Sequence, residues 1–90
     1  MAQTTVIKAD TAIYSDGEAI MGCDMSGLPS DFHALQWSGS EGHVEYTGVT
    51  KPNLTISSES EIEKELGVSL TKLLERRDKR IAEIEKELNE

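Results

Sequence analysis

The chain has 90 residues, 17 acidic against nine basic, and a net charge of −8. That balance disfavours nucleic acid, which is met by a basic face, and an anionic membrane surface. A single cysteine, Cys23, excludes an intrachain disulfide, and a chain this short buries only ~60% of its unfolded surface, so a partner or an oligomer is the first expected source of stability.

The chain divides near residue 57. Residues 1–57 hold six of the seven glycines, both prolines, Cys23 and all four aromatics. They predict a small, mostly antiparallel sheet of four to six strands. Thr4-Thr5-Val6-Ile7 is β-branched throughout and suits a pleated surface. Ala12-Ile13-Tyr14-Ser15 and Glu18-Ala19-Ile20-Met21 flank Asp16-Gly17, the preferred pair for a two-residue type I′ hairpin turn. Ser26-Gly27-Leu28-Pro29 reads as a turn. Phe32 to Trp37 follows as a strand. Strict alternation puts His33, Leu35 and Trp37 on one face and Phe32, Ala34 and Gln36 on the other. After a loop at residues 38–42, His43 to Thr47 alternates Val44 and Tyr46 against His43 and Glu45. Leu54-Thr55-Ile56 makes a last short strand. The core expected of this sheet is Ile13, Tyr14, Ile20, Leu35, Trp37, Val44 and Tyr46.

Residues 58–90 read as helix and hold ten acidic and seven basic residues. Ser58 with Glu61 forms a capping-box pattern. Gly67 is placed to end a first short helix, and Ser69 to cap a second. Val68 and Leu73 then fit a hydrophobic staple. Along the second helix Leu70, Leu74, Arg77, Ile81, Ile84 and Leu88 recur at spacings of four and three, the a/d rhythm of a coiled coil. With Leu74, Ile81 and Leu88 at a, Arg80 falls at g and Glu85 at e. In a parallel bundle these two pair between neighbouring chains, and arginine can make that pair bidentate. Arg80-Ile81-Ala82-Glu83-Ile84-Glu85 also resembles the short trimer-specifying pattern of arginine, apolar, any, any, apolar, glutamate. Isoleucine at a and d favours more than two strands. The alternative is that this amphipathic helix packs on its own sheet.

Signals for chemistry are weak. His33, His43, Cys23 and Asp24 lack the close ligand spacing of a structural zinc site. His33 is expected in or beside the core and His43 at a strand edge. A Cys-His nucleophilic pair would need an orienting third group and a shaped pocket. Glu41 and Glu45 read as solvated carboxylates, and Trp37 and Tyr46 as core. No metal, cofactor or enzymatic activity is therefore expected. No apolar run of ~18 residues is present to span a membrane. The start lacks a secretory pattern, so Asn53-Leu54-Thr55 reads as a chance sequon, and the expected site of synthesis is a cytoplasm with Cys23 reduced.

Phe32-His33-Ala34-Leu35-Gln36-Trp37, a glycine-containing loop and Gly42-His43-Val44-Glu45-Tyr46 together resemble a strand pair of small bacteriophage tail proteins. Lys51-Pro52-Asn53 and the upstream Asp16-Gly17 hairpin fit the same pattern, which covers residues 10–56 and leaves the C-terminal helix outside. The resemblance implies a structural component of a tail or tail fibre, or a factor that assembles one. It places the protein in the virion after assembly in the host cytoplasm. Tail fibres are commonly trimers, which agrees with the helix seam. The expected protein is a tail-fibre-associated structural protein. Its strand-rich domain, residues 1–57, docks on another tail or fibre protein, and its helical segment, residues 58–90, forms a homotrimer. The alternatives are an assembly chaperone that leaves the finished particle and a soluble monomeric binding domain.

Overall fold

A computed structural model describes residues 3–47 and 52–88. It has an α+β layout, with six strands followed by two helices. The strands are β1 (Thr4–Ile7), β2 (Ala12–Ser15), β3 (Glu18–Ile20), β4 (Phe32–Trp37), β5 (Gly42–Tyr46) and β6 (Leu54–Ile56). The helices are α1 (Glu59–Leu66) and α2 (Leu70–Leu88). The sheet order is β3-β2-β1-β4-β5-β6, and every neighbouring pair is antiparallel. It is two three-stranded meanders joined through their first strands.

Local signals account for most element ends. Asp16 and Gly17 both take positive φ, 52° and 87°, as the type I′ turn between β2 and β3 demands. Ser58 caps α1 by accepting the Glu61 amide at 3.4 Å. Glu61 returns its carboxylate one residue further back than a capping box requires, to the Ser57 amide and hydroxyl at 3.2 and 3.1 Å. Gly67 ends α1 in the left-handed region, its amide bonded to the Glu63 carbonyl at 2.8 Å. Ser69 accepts the Lys72 amide at 3.2 Å and caps α2. Gly42 answers a packing demand, since a Cβ there would lie 1.9 Å from the Gln36 carbonyl oxygen. Only glycine lets β5 approach β4 this closely.

Residues directly opposite in a ladder share a face. One row crosses all six strands as Ile20, Ile13, Val6, Leu35, Val44 and Leu54. The helices cover this face: Ile62 and Leu66 of α1 and Leu70 and Leu73 of α2 join Val6, Ile13, Phe32, Leu35, Trp37, Val44 and Ile56 in one buried cluster. The sheet and helices therefore share one core, and a division at residue 57 would run through it. The next row, Ala19, Tyr14, Thr5, Gln36, His43 and Thr55, lies on the opposite face.

Two expectations about the sheet need correction. Tyr14 follows the buried Ile13 directly in β2 and so points to the opposite face, outside the core cluster. The alternation expected for β4 also fails. Phe32 pairs with Tyr46 while Ala34 pairs with Glu45, so His33 is the extra residue of a β-bulge. An extra residue reverses the inside–outside phase on one side of it. Phe32 therefore joins Leu35 and Trp37 in the core, while His33 is exposed instead of lying in or beside it. The remaining expected core residues divide by depth: Ile13, Leu35, Trp37 and Val44 are fully enclosed, and Ile20 and Tyr46 pack at the margin.

Thr11 is, with Asp16, one of two described non-glycine residues with positive φ, a β-branched side chain at φ 48° where left-handed conformation is costly. Its carbonyl accepts the Cys23 amide at 2.9 Å and its hydroxyl accepts the Gly22 amide at 3.1 Å. The strained turn is thus tied to the segment that leaves β3.

Candidate functional site

Helix α2 has 19 residues and rises about 28 Å at 1.5 Å per residue. Its apolar stripe does two different things along that length. In the first half Leu70 and Leu73 are buried in the common core and Leu74 packs against it. In the second half Ile81 and Ile84 are half-buried but lie outside the core cluster. Leu88 is 79% exposed. Successive positions at spacings of three and four keep these residues on one side of the helix. The side that faces the sheet therefore continues beyond the shared core.

Three arginines mark where the helix meets the hairpin and the segment after it. Arg77 donates from Nη2 to the Glu18 carbonyl at 3.3 Å, with the Glu18 carboxylate 3.8 Å away. Arg80 donates from Nε to the Met21 carbonyl at 3.2 Å. Arg76 donates from Nη1 to the Asp24 carbonyl at 3.1 Å. Arg77 has only 12% of its side chain exposed, and its Nε is buried without a hydrogen-bond partner. Beneath this clasp lies Cys23, 3% exposed, its thiol donating to the Ile20 carbonyl at 3.3 Å. Burial pushes the Cys23 thiol above its ordinary range, against smaller opposing effects of a backbone hydrogen bond to Ile13 and the charges of Arg77 and Arg80.

Of the residues expected to form an intermolecular seam, Leu70, Leu74 and Arg77 are thus engaged with the chain's own fold. Arg80 is divided, for its Nη1 also stands 3.8 Å from Glu87. Ile81, Ile84, Glu85 and Leu88 lie on the continuation, where Glu85 and Leu88 are exposed. Leu73, which the helical spacing and the hydrophobic staple both mark, is fully buried. It lies outside the a/d repeat but is the N4 residue after the Ser69 cap, where it joins Val68 at N′ in the core.

The polar face of the sheet carries a second group. His43 Nε2 lies 3.3 Å from Glu45 Oε2, and Gln36 Nε2 donates to the same oxygen at 3.2 Å. His33 sits apart on the bulge, and Glu41 is an exposed loop residue. Among the described residues no three His, Cys, Asp or Glu side chains are grouped to hold a metal ion, and no helix is long and apolar enough to cross a membrane. Comparison of the chain with family models, curated proteins and solved structures finds no match.

Proposed function

We propose that the protein is a structural binding module of a bacteriophage tail or tail fibre, acting by association rather than catalysis. Its chains associate as a parallel homotrimer through residues 81–88, and the sheet with α1 docks on a neighbouring tail protein. The observation that carries this reading is the stripe of Ile81, Ile84 and Leu88 continuing past the core. An isolated helical half with an apolar stripe is marginal in water until the stripe is covered. Copies of the same stripe cover it in matching register. Arg80 is placed to meet Glu85 of a neighbouring chain. Its present contact with Glu87 is exposed, and exposed ion pairs of this kind contribute little, so exchanging one glutamate for another costs little. The tail assignment rests on the strand-pair resemblance at residues 32–46.

A monomeric binding domain is the second reading. The docking of Leu70, Leu73 and the three arginines on the chain's own sheet favours it, because half of the seam is already occupied. Light scattering on the purified chain separates the two. The expected mass is three times the 9.9 kDa of one chain, and the double substitution Ile81→Asp with Ile84→Asp returns it to the single-chain value. A parent that stays at 9.9 kDa at high concentration removes the trimer. For an assembly chaperone, the protein would be missing from purified virions examined by mass spectrometry.

A further inference from the structure

A cleft of roughly 410 Å³ lies between the segment after β3 and the middle of α2. Its lining is Gly22, Asp24, Arg76, Lys79, Arg80 and Glu83. We propose that this cleft is an oxyanion site for a phosphate- or carboxylate-sized group.

The first argument is charge. Four of the nine basic residues fall at positions 76, 77, 79 and 80 of a chain with 17 acidic ones. With carboxylates in such excess, every cation has many candidate partners. Yet among the described residues Arg76 and Lys79 have no carboxylate within ion-pair distance, and the only one near Arg80 is Glu87 at 3.8 Å. Arg76 and Arg80 spend one N–H each on neutral backbone carbonyls. A guanidinium carries five N–H donors, so both retain donors for a further oxygen.

The second argument is geometry. The clasp fixes the two guanidinium groups on one wall and spares an incoming ligand the cost of ordering them. Gly22 has φ +79°, and a Cβ there would stand 2.8 Å from Arg80 Nε. The bare backbone therefore allows the guanidinium to lie against it. Planar guanidinium groups suit bidentate contact with carboxylate or phosphate oxygens, and Lys79 adds a mobile point charge.

Two carboxylates share the lining and oppose an anion. Asp24 is turned to Ser26, accepting its amide at 2.9 Å and its hydroxyl at 3.0 Å. Those two bonds, with lesser help from Arg76 and Lys79, hold its carboxyl below the usual range, so it stays charged. Glu83 is exposed and not bonded to the cleft wall, so its charge is the adjustable one.

The site is tested on the full chain by titration at constant ionic strength. The amides of Gly22, Asp24 and Lys79 are followed by nuclear magnetic resonance as sodium phosphate, and separately sodium succinate, replaces sodium chloride. Saturating shifts confined to the cleft are expected with at least one of the two anions, and the one that binds identifies the ligand chemistry. Lys79→Gln should weaken binding about threefold and Glu83→Gln strengthen it about threefold, the effect of one charge some 6 Å away in a watery dielectric. Lys79 and Glu83 are exposed and take no part in the clasp, so both variants fold. Shifts that stay linear with both anions overturn the proposal, as does an affinity unmoved by both substitutions.

Discussion

Tyr46 joins strand to helix by donating its hydroxyl to Glu65 Oε1 at 2.5 Å. Burial, together with the hydrogen bond and negative charge of Glu65, pushes the Tyr46 phenol well above its ordinary value near 10. The unfolded chain would lose that proton from about pH 10 upward, while the folded chain keeps it. The folded state then binds more protons, so stability falls as pH rises through that window and is unaffected below it. The parent should therefore lose stability as pH rises above about 10, and Tyr46→Phe should flatten that decline. At neutral pH the same substitution should cost about 1 kcal/mol for the lost bond. Urea unfolding at a series of pH values checks both. An equal alkaline decline in parent and variant would assign it to another group.

The two halves of α2 differ in what holds them, although they read alike in sequence. Residues 70–80 are held by core burial and by three arginine contacts to the hairpin segment, whereas residues 81–88 lie outside the core cluster, with Ile81 and Ile84 half-buried, Leu88 exposed and an exposed ion pair from Glu87 to Arg80. Hydrogen exchange on dilute protein should show slow amides up to residue 80 and fast ones beyond, with the fast group becoming slow at high concentration. Uniform protection along α2 in the dilute monomer would contradict this division. The element boundaries themselves were legible because their causes are local: Asp16-Gly17 sets a turn, Gly67 a stop and Ser69 a start. The phase of β4 was not legible, because nothing in His33 announces a bulge that is fixed by pairing with β5. The adjacent pair Ile13 and Tyr14 could not both be core on a pleated strand, and period-two reasoning applied strictly would have separated them. The partner of the helix was hidden for a different reason. A stripe at spacings of three and four fits a sheet and a sister helix equally well, and the carbonyls that settle Arg76, Arg77 and Arg80 lie 52 to 59 residues away in the chain. The cleft was invisible for the same reason, since only the fold brings Gly22 to Lys79.

The described part of the molecule measures 47 × 27 × 20 Å. The proposed association through the helix end would bring copies that each carry −8 into proximity, with Glu85 and Glu87 flanking the shared seam. Such like charges resist assembly, and salt screens them over a Debye length of about 8 Å at physiological ionic strength. The melting temperature should therefore rise with protein concentration, as it does whenever folding is linked to association, and rise further with added salt. The Ile81→Asp, Ile84→Asp chain should show no concentration dependence, and a parent melting temperature independent of concentration would count against assembly. The burial of Cys23 beneath the arginine clasp also has a practical consequence. Its thiol is the only one in the chain, and it is reached only when the segment carrying the Met21 and Asp24 carbonyls leaves the helix. The rate at which a thiol reagent labels it is thus a built-in clock for that release. An opening rate insensitive to denaturant marks a local loosening of the loop, and one that climbs steeply marks the unfolding of the entire chain.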